Sequence, residues 1–408
     1  MKGINIIGHT DGEFGLGKAL RLNLKALKHT DISYKVFDFK NLISSGMCDF
    51  EHEINIVQVS LHEVNEIIDN LPADFFEKYY TILYLVWESE FVPEKYHYNI
   101  NLFDEIWTAS TYCKRIFTSF FKGEITVIPH PVEIKKNKKK DCDLLEIYDS
   151  NKFSFLYVFD FNSSALRKNP FFLVKAFKIA SDKVDHKIEL ILKTSNSHHH
   201  VKDYEKLKQL IDSVFNIKLL DGRVERDDLN SLMNSCDCYI SLHHSEGFGL
   251  TMAEAMSLGK PTIATNYSGN TEFMDITNSF LVDTVIETVK NTDVHFDKNT
   301  TWGNPLLEDS IKKIVYVFSN PREVKIKAEK GERDIGNMLS FRSIGGLIRS
   351  RIIDIESSFY IYENYKRKLN YFRSQAIDNA LRLVQKEREL KKIKKNILLK
   401  FILKLKKG

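Results

Sequence analysis

The chain has 408 residues, 43% hydrophobic and 28% charged, with 59 Lys and Arg against 55 Asp and Glu for a net charge of +4. That length exceeds one ordinary core and suits two domains, and the nearly balanced charge points to no nucleic-acid partner. No apolar run reaches the roughly 18 residues of a spanning helix, and five cysteines, an odd number, point to a reducing cytosol rather than a disulfide framework. The opening MKGINIIGHT reads as a short strand entering a loop, without the apolar length or cleavage site of a signal peptide. Over 1–145, INIIG, ISYKVFDF, EINIVQVS, TILYLVW, EIWTAS and EITVIPH read as strands. The stripe Leu16, Leu20, Leu24, Leu27 marks a helix after the first of them. KKNKKKDCD (135–143) is a charged break. A second series over 146–333 holds FSFLYVF, KIELILK, NIKLL, CDCYISL, PTIAT and NSFLVD. This alternation predicts an α/β chain of two Rossmann-like domains, each a doubly wound parallel sheet, facing a cleft at the carboxyl ends of their strands. A closing helix over 334–356 and a helical extension over 357–408 follow.

HTDGEFGLGKALR (9–21) carries two incomplete motifs. Gly12, Gly17 and Lys18 fit most of a P-loop, but Ala19 lacks the hydroxyl that would hold Mg²⁺. Gly15 and Gly17 begin a dinucleotide fingerprint, but Leu20 stands where its third glycine belongs. What remains is a glycine loop at a helix N-terminus, which is an anion site. Gly15, Leu16 and Gly17 are its candidate donor contacts.

EGFGLTMAEAMSLGKPT (246–262) is the most informative segment. It leaves a buried strand, passes through Gly247 and Gly249, enters a helix near Leu250 and returns as the strand PTIAT. The glycines predict a tight turn and close approach to a ligand. The helix start favours an anion. Glu246 and Glu254 offer carboxylate acceptors to sugar and ribose hydroxyls. SSALRKNP (163–170) places Arg167 and Lys168 at a second loop-to-helix junction, suited to a pyrophosphate. In a site with no metal-ligand cluster, such cations take up leaving-group charge, so no cofactor or metal is expected.

Glu246, Gly247, Phe248, Gly249, Leu250, Glu254, Ala255, Met256, Gly259 and Pro261 together resemble the donor-site motif of retaining glycosyltransferases of family 4, which have the GT-B fold. The resemblance covers about residues 3–350 in ordered pieces. It implies that Glu246 and Glu254 bind the donor with Gly247, Phe248, Gly249 and Leu250, and that Lys168 occupies the family's lysine position. The family's arginine lies nearer the strand, where this chain has Asp160 to Ser163, so Arg167 is the candidate replacement. The family's histidine after an N-domain strand is replaced by Trp87 and Glu88, candidates for sugar stacking and for hydrogen bonding of donor or acceptor. In DGRVERDDLNSLMNSCD (221–237), Val224 is the candidate backbone contact to the base. His9 is expected at the cleft mouth, His130 in a structural turn, His243 or His244 at the sugar pocket, and His198–His200 in a solvated loop.

Residues 391–408, KKIKKNILLKFILKLKKG, contain eight lysines and no acid, the composition of a segment that lies on an anionic lipid surface. The resemblance to enzymes of bacterial surface polysaccharides implies hexosyl transfer with retention, from a nucleotide sugar to a glycan or lipid-linked acceptor. GDP-mannose is the first expected donor. A cytoplasmic location at the inner face of the plasma membrane fits that reaction. The alternatives are a nucleotide-sugar epimerase, a phosphorylase, or a catalytically silent partner in polysaccharide assembly.

Overall fold

The computed structural model describes residues 3–11, 15–45, 49–72, 74–133, 143–289 and 300–357, with scattered positions between 368 and 391. All twelve expected sheet strands are present. β1 (Gly3–Gly8), β2 (Ser33–Asp38), β3 (Ile54–Gln58), β4 (Tyr80–Tyr84), β5 (Glu105–Thr108) and β6 (Glu124–Val127) form one parallel sheet in the order β2-β1-β3-β4-β5-β6. β7 (Phe153–Asp160), β8 (Ile188–Ser195), β9 (Ile217–Asp221), β10 (Cys238–Ser241), β11 (Thr262–Thr265) and β12 (Phe280–Val282) form a second in the order β12-β11-β10-β7-β8-β9. Helices cover both faces, so central strands such as β1 and β4 are buried at every residue.

The strand orders fix where a ligand sits. In an open parallel sheet the crevice lies at the carboxyl ends of the strands, where the order reverses. In the first sheet the reversal falls at β1 and β3, so the loop after Gly8 opens there. In the second it falls at β7 and β10, so the loops carrying Arg167, Lys168 and Glu246 leave the sheet side by side.

One pairing was not expected from the sequence. β13 (Thr284–Thr288) and β14 (Thr301–Pro305) form an antiparallel hairpin. Its strands are joined by a long connection without a two-residue turn signal, so nothing local marks them as partners.

The stretch 334–356 spans the end of one helix, Pro321–Met338, and most of another, Phe341–Ser357. The second lies on the first domain. A Cβ at Gly345 would stand 2.5 Å from the Ala26 carbonyl of the Gly15–Leu27 helix, so the two backbones touch there. Arg349 pairs with Asp31, and Arg351 forks onto fully buried Glu105 at 2.8 and 2.9 Å. Truncating one partner of a buried ion pair strands the other charge. Arg351→Ala is therefore expected to cost about 3 kcal/mol, read as a lower midpoint in urea. A cost under about 0.5 kcal/mol, the level of ordinary surface changes, would show that the guanidinium contributes nothing.

Beyond this helix, the Lys368 ammonium donates to the Phe76 and Tyr79 carbonyls and to Asp104, fastening the extension to the first domain. Residues 392–408, which hold most of the basic segment, lie outside the described residues. No described helix is long and apolar enough to cross a membrane.

Candidate donor site in the cleft

The cation pair and the first acid converge. A short helix, Ala165–Lys168, follows β7 and ends at Asn169, whose φ of 55° turns the chain into the Pro170–Asp182 helix. Asn169 donates its side-chain amide to the Leu242 carbonyl at 2.9 Å, which ties this turn to the loop after β10. Arg167 and Lys168 thereby face Glu246. One Glu246 carboxylate oxygen takes the Arg167 guanidinium at 3.0 Å and the other takes the Lys168 ammonium. Arg167 also donates to the Ser245 and Ser163 carbonyls and lies 3.6 Å from the Glu88 carboxylate of the first domain.

Glu246 is 8% exposed. Burial pushes its carboxyl up, but Lys168 and Arg167 outweigh that and hold it near 2. Burial pushes the Lys168 ammonium down, and Glu246 only partly restores it. A carboxyl whose folded pKa is depressed contributes stability above its ordinary pKa of 4.5 and loses it as pH falls toward 2. The contribution is on the order of 3 kcal/mol. Wild type should therefore lose about that much relative to Glu246→Gln between pH 7 and pH 2.5. Parallel stability curves for the two proteins would contradict the pairing.

The second acid sits on the Leu250–Ser257 helix. Gly249 precedes that helix at a φ of 93°, a conformation that favours glycine. Gly247 has a different reason from the expected one. Its missing Cβ makes room for the first domain, where Val86 Cγ1 would stand at 2.2 Å, rather than for a ligand. Glu254 is 5% exposed. Its Oε1 is shared by Arg226, at the start of the helix after β9, and by Lys18 of the first domain. Its Oε2 is buried and has no hydrogen-bond partner. Burial raises the Glu254 carboxyl, and Lys18 and Arg226 bring it below the ordinary value.

Other expected contacts fall into place differently. Gly15, Leu16 and Gly17 lie in the first described turn of the Gly15–Leu27 helix. A Cβ on Gly15 would meet nothing within 4 Å. Leu250 opens the helix that carries Glu254, and Val224 lies half-buried two residues before Arg226. The Phe248 ring is buried against His130 and Phe273, which leaves only its backbone to meet a donor. Trp87 is not a sugar platform: its ring lies in the first core and its indole N–H donates to the Phe91 carbonyl at 2.9 Å. His243 is fully buried between Ser241 and Asn270, and burial lowers it to about 4. His244 stacks on Trp302 of the hairpin at 4.1 Å and bonds to the Leu166 carbonyl and Asn304. Both rings support the loop from behind. His9 bonds to Glu63 at 2.8 Å. His130 meets the Tyr84 hydroxyl at 3.0 Å and is lowered to about 3 by burial.

The two domains close directly on the Glu246 loop. Ser110 donates to the Gly247 carbonyl at 2.7 Å. Ser245 and Tyr112 donate to the Glu88 carbonyl. The Thr111 amide, opening the Thr111–Thr118 helix, donates to Glu272 at 2.6 Å. Ser89 meets Thr300, the residue before β14, at 2.9 Å. Lys18, Arg226 and Ser110 were not expected at this site. Only Lys18 had a signal, as the lysine of the incomplete P-loop.

Residues 149–287, within the second domain, match the family described as glycosyl transferases group 1. No curated protein matches in sequence. Among solved structures, HepE of Anabaena in complex with UDP and glucose superposes with a TM-score of 0.64 at 14% identity, over 87% of this chain and 100% of that one. Sucrose-phosphate synthase of Thermosynechococcus elongatus gives 0.65 at 13%, over 88% and 100%. A TarM variant of S. aureus, solved with Fondaparinux, alpha-GlcNAc-glycerol and UDP, gives 0.54 at 15%, over 75% and 55%. The chain has the GT-B fold, and residues 149–287 match a glycosyltransferase family.

Proposed function

We propose that this protein is a retaining glycosyltransferase that moves a sugar from a nucleoside-diphosphate donor to a glycan or lipid-linked glycan. The observation that carries the proposal is the pairing of unlike acid environments on one cleft wall. Glu246 is saturated by two cations, while Glu254 keeps a buried oxygen free for a hydroxyl.

Glu254 accepts from the ribose and Glu246 from the transferred sugar. Arg167 and Lys168 exchange part of their pairing with Glu246 for the diphosphate. The bond from the anomeric carbon to the phosphate oxygen breaks toward these cations. The acceptor hydroxyl attacks from the same side, forms the new glycosidic bond, and passes its proton to the departing diphosphate oxygen. Retention follows from attack on the leaving-group face. Glu88, on the first domain and 3.6 Å from Arg167, orients the acceptor. Arg167, Lys168 and the Leu250–Ser257 helix start supply the positive field, so the reaction needs no metal and should survive EDTA.

The base is open to two expectations. Resemblance to polysaccharide enzymes favours GDP-mannose, whereas the similar HepE and TarM structures contain UDP. Thermal shift against UDP, GDP, ADP and their sugars tests the proposal and chooses between them. A donor at about 100 Kd adds about 2.7 kcal/mol. A flat response to the whole panel would overturn the proposal.

We also propose that the 391–408 segment holds the enzyme on anionic lipid. Each lysine near the surface contributes about 1 kcal/mol. Full-length protein should sediment with phosphatidylserine vesicles at low salt and leave the pellet at high salt. A chain ending at Leu390 should stay in the supernatant and stay folded. Equal sedimentation of the two would remove this role.

A further inference from the structure

We propose that Ser268 is a positioning residue for the reaction: it clasps the backbone of Glu246, so that the carboxylate keeps its aim when Arg167 and Lys168 turn to the diphosphate. This rests on the sugar-transfer reading and adds to it a residue that acts only through Glu246.

The first observation is a strained serine. Ser268, in the turn after β11, has φ 75° and ψ −152°. That part of backbone space is essentially reserved for glycine, and any other residue there carries strain. Glycine would sit there freely, so what the serine adds is its hydroxyl. The residue is buried, and its hydroxyl has two partners of opposite kind. It accepts the Glu246 amide at 2.8 Å and donates to the Tyr267 carbonyl at 2.5 Å. An amide can only donate and a carbonyl only accept, so both roles are fixed.

The second observation is that the next residue completes the clasp. The Gly269 amide donates to the Glu246 carbonyl at 2.8 Å. A Cβ on Gly269 would stand 2.1 Å from the Gly247 carbonyl oxygen, so the two loops meet backbone to backbone. Consecutive residues therefore hold both polar groups of the Glu246 main chain. The turn is itself secured. The Ser268 carbonyl accepts the Thr271 hydroxyl at 2.7 Å, and the Asn270 side-chain amide donates to the Thr265 carbonyl at 2.9 Å.

The third observation concerns what else holds Glu246. Its side chain is tethered by Arg167 and Lys168. In the proposed reaction these cations give part of that pairing to the diphosphate, just when the carboxylate must meet the sugar. The clasp on the main chain does not depend on them. A second serine acts on the facing loop: Ser164, at φ 68°, accepts the Arg167 amide on its hydroxyl at 3.3 Å. Six described non-glycine residues have positive φ, and three of them, Ser164, Asn169 and Ser268, hold this one cluster. Unusual backbone gathers at functional sites when the surrounding structure enforces it.

The experiment is steady-state kinetics on full-length wild type, Ser268→Gly, Ser268→Ala, Glu246→Gln and the double variant Glu246→Gln with Ser268→Gly. Ser268→Gly takes the same backbone without strain and should fold. Ser268→Ala keeps the strain, loses the hydroxyl, and should melt at a lower temperature than Ser268→Gly. Both should lose at least about tenfold in kcat, with donor KM and nucleoside-diphosphate affinity within about threefold of wild type. Adding Ser268→Gly to Glu246→Gln should cost less than about threefold more, because residues that act as a unit are not additive. Two results overturn the assignment. One is a Ser268→Gly enzyme with wild-type kcat. The other is a double variant that loses the full product of the two single losses, which would place the action of Ser268 elsewhere. If wild type transfers no sugar, the functional reading fails and takes this role with it, and that outcome is visible before any variant is compared.

Discussion

Lys168→Ala is expected to lower kcat/KM by roughly 10²-fold or more, the usual cost of losing one preorganised charge partner of a transition state. The reason lies in the Glu246 cluster. Lys168 is buried, paired with Glu246, and set by the Asn169 turn, whose amide is held to the Leu242 carbonyl. Once the bound diphosphate has taken over part of that pairing, the ammonium is already in place when charge develops on the leaving group. The loss should fall on kcat, with KM for the donor changed by only a few-fold, because the ground-state diphosphate still meets Arg167. Steady-state kinetics on the two variants Lys168→Ala and Arg167→Lys would check this. A Lys168→Ala enzyme within threefold of wild type would remove the ammonium from the chemistry.

Glu254→Gln and Glu246→Gln should separate binding from turnover. Glu254 Oε2 is a buried acceptor with no partner, so a ribose hydroxyl gains a charge-assisted bond there. Its loss is worth about 1.5–3 kcal/mol, which is roughly ten- to a hundredfold in nucleoside affinity. Glu246, already held by Arg167 and Lys168, touches the sugar in this scheme and not the nucleoside. Glu246→Gln should therefore bind nucleoside diphosphate as wild type does while losing most turnover with the sugar donor. Calorimetry with nucleoside diphosphate decides it, and Glu254→Gln binding as tightly as wild type would sink the ribose assignment.

Local pattern carries both sheets. Segments such as INIIG and CDCYISL are short, apolar and bounded by polar breaks, as strands buried on both faces must be. The strand orders then bring the Gly15–Leu27 helix start, the Glu246 loop and the Arg167–Lys168 turn to one cleft, and motif spacing alone links Glu246 with Glu254. What the sequence could not convey are the contacts made between distant elements. The Lys18 pairing with Glu254, the bulk of Val86 behind Gly247, and the hairpin that stacks Trp302 on His244 all join residues from far apart in the chain. Trp87 illustrates the opposite error. An aromatic at a strand end suits a sugar platform, but its indole found a nearer partner in the Phe91 carbonyl, and burial of the ring in the first core followed. Ala19 breaks the P-loop pattern at its hydroxyl, but the lysine beside it, Lys18, is a described residue of 9–21 that reaches the second domain.

Sugar transfer is tested most directly by phosphorus NMR of the full-length protein with UDP-, GDP- and ADP-sugars, in the presence of lipid-linked and soluble glycans. One donor should give up its sugar with an equal rise of free nucleoside diphosphate. The rate should be unaffected by EDTA and fall roughly 10²-fold in Lys168→Ala. A donor that returns with its sugar epimerised and its diphosphate still attached, or no donor consumed with any acceptor, would contradict it.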